Sequence, residues 1–273
     1  MNKIETIALV APGGNIRDFL DLENKIKILE KNFIVKRFYN ENAGLSYLSD
    51  TDKNRAKFFE NAFLDKNVDM VVSVRGGYGA IRTIEYLDFD KIKNSSKIYL
   101  ASSDATILLC ALSKKTNIKC FHGLMIMNGF VENMENNIKI IKNNEFNINY
   151  KTIKRGLLKG KLWGGNLSSV VSILSGDMFI PDDDVVLFLE DLNEPIYKID
   201  KMLFEIYRCK KLREKIKGII FGDFYIEKKE IQPLLKEYSE LFDNIACIET
   251  NDITHKIHNI TVPFLKDVEI LAQ

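Results

Sequence analysis

Short apolar runs that stop at a glycine or serine turn, each leading into a helical pattern, recur through the first half of the chain. Residues 6–11, TIALVA, are closed by Pro12-Gly13-Gly14 and followed by helical spacing of Phe19, Leu20, Leu22, Ile26 and Ile28. FIVKRF (33–38) precedes DKNRAKFFENAFLD (52–65), and DMVVSV (69–74) ends at Arg75-Gly76-Gly77. IYLAS (98–102) and IKCFHG (118–123) continue the plan. Strands this short and apolar, alternating with amphipathic helices, imply a parallel sheet with helices on both faces. Ligands of such sheets gather at the carboxyl ends of the strands, so the turns there become the candidate site.

Between Met134 and Lys161 the chain turns polar, rich in Asn and Lys, which marks the expected boundary. The reading is an N-terminal parallel-sheet domain over 1–140, a linker at 141–161 and a smaller mixed α/β domain over 162–273. The second domain contains LWGGNLSSVVSILSGD (162–177), the buried strand of DDVVLFLEDLNEP (183–195) and a long helix from Ile196 to Leu212. GIIFGDF (218–224), a helix near 229–242 and the tail IHNITVPFLKDVEIL complete it.

Charge excludes some functions. Lys+Arg 39 against Asp+Glu 38 gives +1, so nothing points to nucleic acid or an anionic membrane as partner. Cys110, Cys120, Cys209 and Cys247 are scattered without a C-x-x-C pair, which reads as reduced thiols rather than a metal site or disulfide framework. No stretch approaches the roughly 18 apolar residues needed to cross a bilayer. The start lacks the flanks of a signal peptide, and a soluble cytoplasmic protein without a cofactor is expected.

Three constellations can carry chemistry. Gly76, Gly77 and Gly79 follow a strand and precede a helix, where backbone N–H groups can face an anion or a developing oxyanion. Their spacing fits neither G-x-G-x-x-G nor a phosphate-binding P-loop. In LASSDAT, Ser102, Ser103 and Asp104 sit where helix N-caps occur, and a plain cap accounts for the stretch by itself. Yet Ala101 and Ala105 flank Ser103 as glycines flank the serine of a G-x-S-x-G elbow, and the Asp104 N–H could help hold an oxyanion. A serine nucleophile needs a base and an orienting acid. The chain offers His122 at a strand end, His255 and His258 in a polar loop, and Glu190-Asp191 at the end of a buried strand. For each histidine, solvent exposure or packing is the simple alternative.

Together these segments resemble the LD-carboxypeptidase family of serine peptidases, which includes muramoyltetrapeptide carboxypeptidases and microcin-immunity peptidases. The resemblance runs almost end to end: APGG, RGGYGAIRTIEYLD, SSDATILL, FHGLM, LWGGNLSSVVSILSGD, LFLEDLNEPIYKIDKMLFEI, GIIFGDF and HKIHNITVP in order. It implies a Rossmann-like N-terminal domain, a smaller C-terminal α/β domain and a site in the cleft between them. By motif position it implies Ser103 as nucleophile, Glu190 as acid and His255 as base, with oxyanion donors at the N–H groups of Gly77 and Asp104. Gly76, Tyr78 and Trp163 become candidate substrate contacts, with packing as the alternative for Tyr78 and Trp163. No metal is implied, and a homodimer is. The implied substrate is a murein-derived peptide ending in a D-amino acid. The alternatives are an aminoacyl-nucleotide antibiotic, or a non-catalytic protein that holds an anion on the glycine turn. The chain departs from the family in Ala101-Ser102 before the nucleophile, and in TVPFLKD, which lacks the usual glycine.

Overall fold

Runs of aliphatic and β-branched residues form the buried strands, and the polar residues between them supply turns and helix surfaces. The computed structural model describes residues 3–41, 45–176 and 179–273; Asp177, the last residue of the LWGG motif, lies outside these. Among the described residues the strands are β1 (Thr6–Val10), β2 (Ile34–Phe38), β3 (Met70–Ser73), β4 (Ile98–Ala101) and β5 (Lys119–His122). They continue with β6 (Lys151–Lys154), β7 (Gly156–Asn166), β8 (Val185–Glu190), β9 (Ile216–Phe221), β10 (Cys247–Glu249), β11 (Val262–Pro263) and β12 (Asp267–Ala272).

The first sheet has the order β11-β5-β4-β3-β1-β2. Its β1 to β5 are parallel, and β11 joins antiparallel to β5. Read from β2, the order 2-1-3-4-5 is a doubly wound arrangement whose direction reverses between β1 and β3, where a crevice opens at the strand ends. Both faces are covered, as the apolar runs demand. Ala8 and Val10 join one core cluster while Ile7 and Leu9 join another, the two-residue alternation of a strand.

The second sheet has the order β12-β7-β8-β9-β10-β6, with β7 to β10 parallel and antiparallel strands at both edges. The helix Thr106–Lys115 is buried from Thr106 through Leu112, and its apolar residues share one cluster with Tyr99 and Ala101 of the first sheet and Leu187 and Phe188 of the second. A helix apolar around its circumference needs cover on every side, and two sheets supply it. The result is a two-domain α/β protein whose domains share a core.

Two expectations need correction. Residues 141–161, read as a linker, hold the end of the helix Met134–Asn143, all of β6 and the first half of β7. Their polarity reflects position: β6 is an edge strand, without a buried residue. The long helix expected from Ile196 to Leu212 breaks at Cys209 (φ −68°, ψ 89°) into Ile196–Arg208 and Lys210–Lys215.

Candidate active site

Three turns meet at the crevice. The turns after β1 and β3 lie against each other, with Gly14 N donating to Gly77 O at 3.0 Å. A Cβ on Gly13 would lie 2.4 Å from that carbonyl oxygen, so only glycine permits the approach. The third turn, after β4, is tied to the second by Asp104, whose Oδ2 accepts from Ala80 N at 2.7 Å. Burial pushes the Asp104 carboxyl up to about 6, against the opposing pull of the Ala80 and Gly79 N–H groups and Arg55. The Asp104 side chain therefore fastens the two turns together.

Ser103 stands at the tip of this third turn with φ +54°, a left-handed conformation that a serine adopts only under constraint. Ser102 before it is extended and makes no side-chain capping bond, so the plain cap reading fails there. Gly76 borders the Ser103 side chain: a Cβ at Gly76 would lie 2.8 Å from Ser103 Oγ.

The acid and the histidines come from elsewhere in the chain. Glu190 ends β8 with its side chain 0% exposed, and His255 Nδ1 lies 2.6 Å from its Oε2. The loop bearing His255 is fixed at several points. Asp223 N donates to Ile253 O at 2.9 Å, and Thr254 Oγ1 and Lys256 Nζ each donate to Asp223 Oδ2 at 3.1 Å. Gly222 lets the loop approach, since a Cβ there would lie 2.6 Å from Ile253 O and 3.1 Å from Glu190 Cβ. Burial by itself would raise the Glu190 carboxyl, but the charge of His255 and the contact with His122 hold it well below the usual carboxylate range. Burial likewise opposes a charged His255, and Glu190, with smaller help from Asp191 and Asp223, pushes its pKa up instead. His258 is exposed.

A polar chain couples the serine turn to Asp191, the residue after the acid. Ser169 Oγ donates to Ser103 O at 3.3 Å, Ser169 N to Asn166 Oδ1 at 3.1 Å, and Asn166 Nδ2 to Asp191 Oδ1 at 2.9 Å. Asn166 is also the register partner of Glu190 across β7 and β8. Among the described residues no hydrogen bond joins Ser103 Oγ directly to His255.

Other candidates divide. Tyr78 is 57% exposed and pairs with exposed Tyr47, ring centroids 6.1 Å apart. Trp163 is 0% exposed, inside β7 between β8 and β12, and packs in the core, the alternative named for it. Two contacts emerge only in three dimensions. His122, at the end of β5, places Nε2 3.4 Å from the other Glu190 oxygen. Arg75 donates to Asn15 O and has no carboxylate partner among the described residues. Burial and the charge of Arg17 push its pKa down, and no acidic group opposes them. An unpaired, half-buried cation next to a glycine turn was signalled only by the Arg-Gly-Gly sequence.

A separate hollow, bordered by Thr116, Lys142 and Lys266, opens at the other end of β5 and holds none of these groups. No described helix is long and apolar enough to cross a membrane.

Known proteins share this arrangement of segments. A probable murein peptide carboxypeptidase of Bacillus subtilis is 28% identical over 82% of this chain and 74% of its own. The microcin C7 self-immunity protein of Escherichia coli is 26% identical over 64% of this chain and 62% of its own. The crystal structure of a muramoyltetrapeptide carboxypeptidase from Oxalobacter formigenes superposes with a TM-score of 0.84 at 22% identity, covering 98% of this chain and 95% of that one. The model of the LD-carboxypeptidase N-terminal domain matches residues 7–123 and that of the C-terminal domain residues 159–270, and the chain belongs to the LD-carboxypeptidase family.

Proposed function

We propose that this protein is a cytoplasmic serine carboxypeptidase that removes a C-terminal D-amino acid, D-Ala, from murein tetrapeptides. The observation that carries the reading is the buried Glu190–His255 contact of 2.6 Å, beside Asp191, which a polar chain through Asn166 and Ser169 joins to the turn bearing Ser103. Glu190 engages Nδ1 of His255, which leaves Nε2 to take the Ser103 proton as Oγ attacks the scissile carbonyl. The oxyanion forms against the N–H groups of Gly77 and Asp104, and His255 hands its proton to the leaving amine as the C–N bond breaks. Water, deprotonated by His255, then attacks the acyl-serine and releases the shortened peptide. Arg75 supplies the cation for the free carboxylate of the departing residue, the group that separates a carboxypeptidase from an internal peptidase.

The test is release of free D-Ala from a tetrapeptide ending in an L-diamino acid followed by D-Ala. The all-L peptide, the C-terminal amide and the pentapeptide ending in D-Ala-D-Ala serve as comparisons and are poor substrates on this reading. Equal cleavage of L- and D-terminated peptides would defeat it. A second reading, hydrolysis of an aminoacyl-nucleotide, is favoured by the exposed Tyr47–Tyr78 pair, on which a base could stack. Turnover of such a compound with no peptide cleaved would select it.

A further inference from the structure

We propose that His122 is a positioning residue for Glu190, donating its Nε2–H to the carboxylate oxygen that His255 leaves free; this rests on the reading of Glu190 and His255 as a catalytic pair. Glu190 lies between two imidazoles, with His255 Nδ1 at 2.6 Å from Oε2 and His122 Nε2 at 3.4 Å from Oε1. The side chains of Glu190 and His122 are 0% and 1% exposed, so bulk water does not reach them. A buried carboxylate with one oxygen bare is costly. His122 Nε2 and Glu190 Oε1 face each other without full hydrogen-bond geometry in this structure, and neither has another hydrogen-bond partner among the described residues.

The proposed donation fixes the tautomer. With the proton on Nε2, the ring turns a donor to the carboxylate and leaves only a lone pair at buried Nδ1. The opposite tautomer would set a lone pair against an anion. The ring is also confined. It packs edge-to-face on Phe188, with centroids 5.4 Å apart, and Phe188 lies two residues before Glu190 on the same face of β8. A Cβ on Gly165 would come within 3.0 Å of His122 Cδ2, so the glycine makes room for the ring. On the backbone, His122 pairs with Ala101 of β4 and Val262 of β11.

His122 belongs to the first sheet and Glu190 to the second. Their contact therefore references the acid to the strand beside the one that carries Ser103, and so sets the geometry of a site divided between two domains.

Removing the donor has one sign. If Glu190 stays ionised, its charge is less dispersed and stabilises a protonated His255 better; if it does not, the carboxylate itself takes the proton. Either way the pair binds a proton more readily, and the acidic limb of kcat/KM moves to higher pH. The other charged groups facing the pair, Asp191, Asp223 with its partner Lys256, and the ring of Tyr225, are left in place.

The experiment compares His122→Phe, His122→Asn and His122→Gln in the full-length protein. Phe keeps a ring without the donor, Asn is too short to reach Oε1, and the Gln amide falls near the Nε2 position. Expected for Phe and Asn is a loss of about tenfold to a hundredfold in kcat, with KM little changed, as for other supporting hydrogen bonds. Their acidic limb should rise by about one pH unit, and Gln should restore both rate and limb. NMR titration of the His255 imidazole in the same variants reads the proton affinity without any peptide. Its outcome separates failure of this proposal from failure of the assigned substrate. An unshifted titration in folded Asn and Phe variants, or loss of activity that Gln does not restore, would overturn the positioning role. If Phe does not fold, Asn alone decides.

Discussion

Gly76 and the hydroxyl of Ser103 occupy adjoining space: a methyl group on Gly76 would lie 2.7 Å from Ser103 Cβ and 2.8 Å from its Oγ. Gly76 is not among the glycines with positive φ, so its backbone accepts alanine and the steric effect falls on the serine. Gly76→Ala should therefore lower kcat/KM by about a hundredfold, the scale of an ångström displacement in a reacting geometry. The melting temperature should fall as well, because a Cβ placed 2.7 Å from Ser103 Cβ forces the turn to shift. Kinetics on the tetrapeptide with parallel thermal unfolding checks this, and a rate near wild type would mean that Ser103 Oγ is not the reacting atom.

The two serines of the turn should part company. Ser103→Ala and His255→Ala should each lose at least about a thousandfold in kcat and add little to one another, as members of one unit do. Ser102→Ala should keep most of the activity, because Ser102 is buried, extended and makes no capping bond. Ser103→Gly should be inactive yet no less stable than wild type, since φ +54° suits glycine. A dead Ser102→Ala beside an active Ser103→Ala would reverse the assignment.

The pH dependence follows from the buried pair. His255 must be neutral to act as base, and its pKa is raised above the ordinary 6.5, with Glu190 the largest contributor against burial. Activity should therefore fall with decreasing pH along a limb centred above 6.5. Glu190→Gln removes the negative charge and leaves burial to dominate, so the limb should shift to lower pH while kcat drops by about a thousandfold to ten-thousandfold. The measurement is kcat/KM from pH 5 to 9. A limb unmoved by Glu190→Gln would assign it to another group.

Arg75 should read the carboxylate of the departing residue. Arg75→Gln is expected to weaken kcat/KM for the free acid by about tenfold to a hundredfold, the value of a charged hydrogen bond. The already slow C-terminal amide should be unaffected, so that the preference for acid over amide collapses. If both peptides slow equally, Arg75 shapes the turn through Asn15 and does not meet the substrate.

Periodicity made most of the elements legible. The helix Phe19–Leu29 and strands β1 to β5 fall within a residue or two of their apolar runs; β1, β3 and β4 are buried throughout, which leaves little room for polar residues, while edge strand β2 shows only its β-branched and aromatic residues. Edge strand β6 and the start of β7 were not legible, since an exposed edge reads like a loop. The break at Cys209 left no mark in an amphipathic pattern that continues across it. In the site, the glycine and serine turns announced themselves, while Trp163 and His122 show what local pattern leaves out. Both lie near glycines, but whether a side chain faces a crevice, a core or a carboxylate depends on strands far away in sequence. Arg75 stood in plain view within its turn, and only three dimensions show that no acid approaches it.

The edge of the first sheet is closed by β11, a two-residue strand drawn from beyond the second sheet's last parallel strand. Synthesis from the N-terminus thus delivers Ser103 first, Glu190 later, His255 later still, and the closing strand seven residues after that. A nascent chain on the ribosome holds the serine turn long before it holds the acid and histidine proposed to activate it. Chain order serves as a delay: on the proposed mechanism, a chain built this way stays inert toward its neighbours until the His255 loop and the strand after it have emerged.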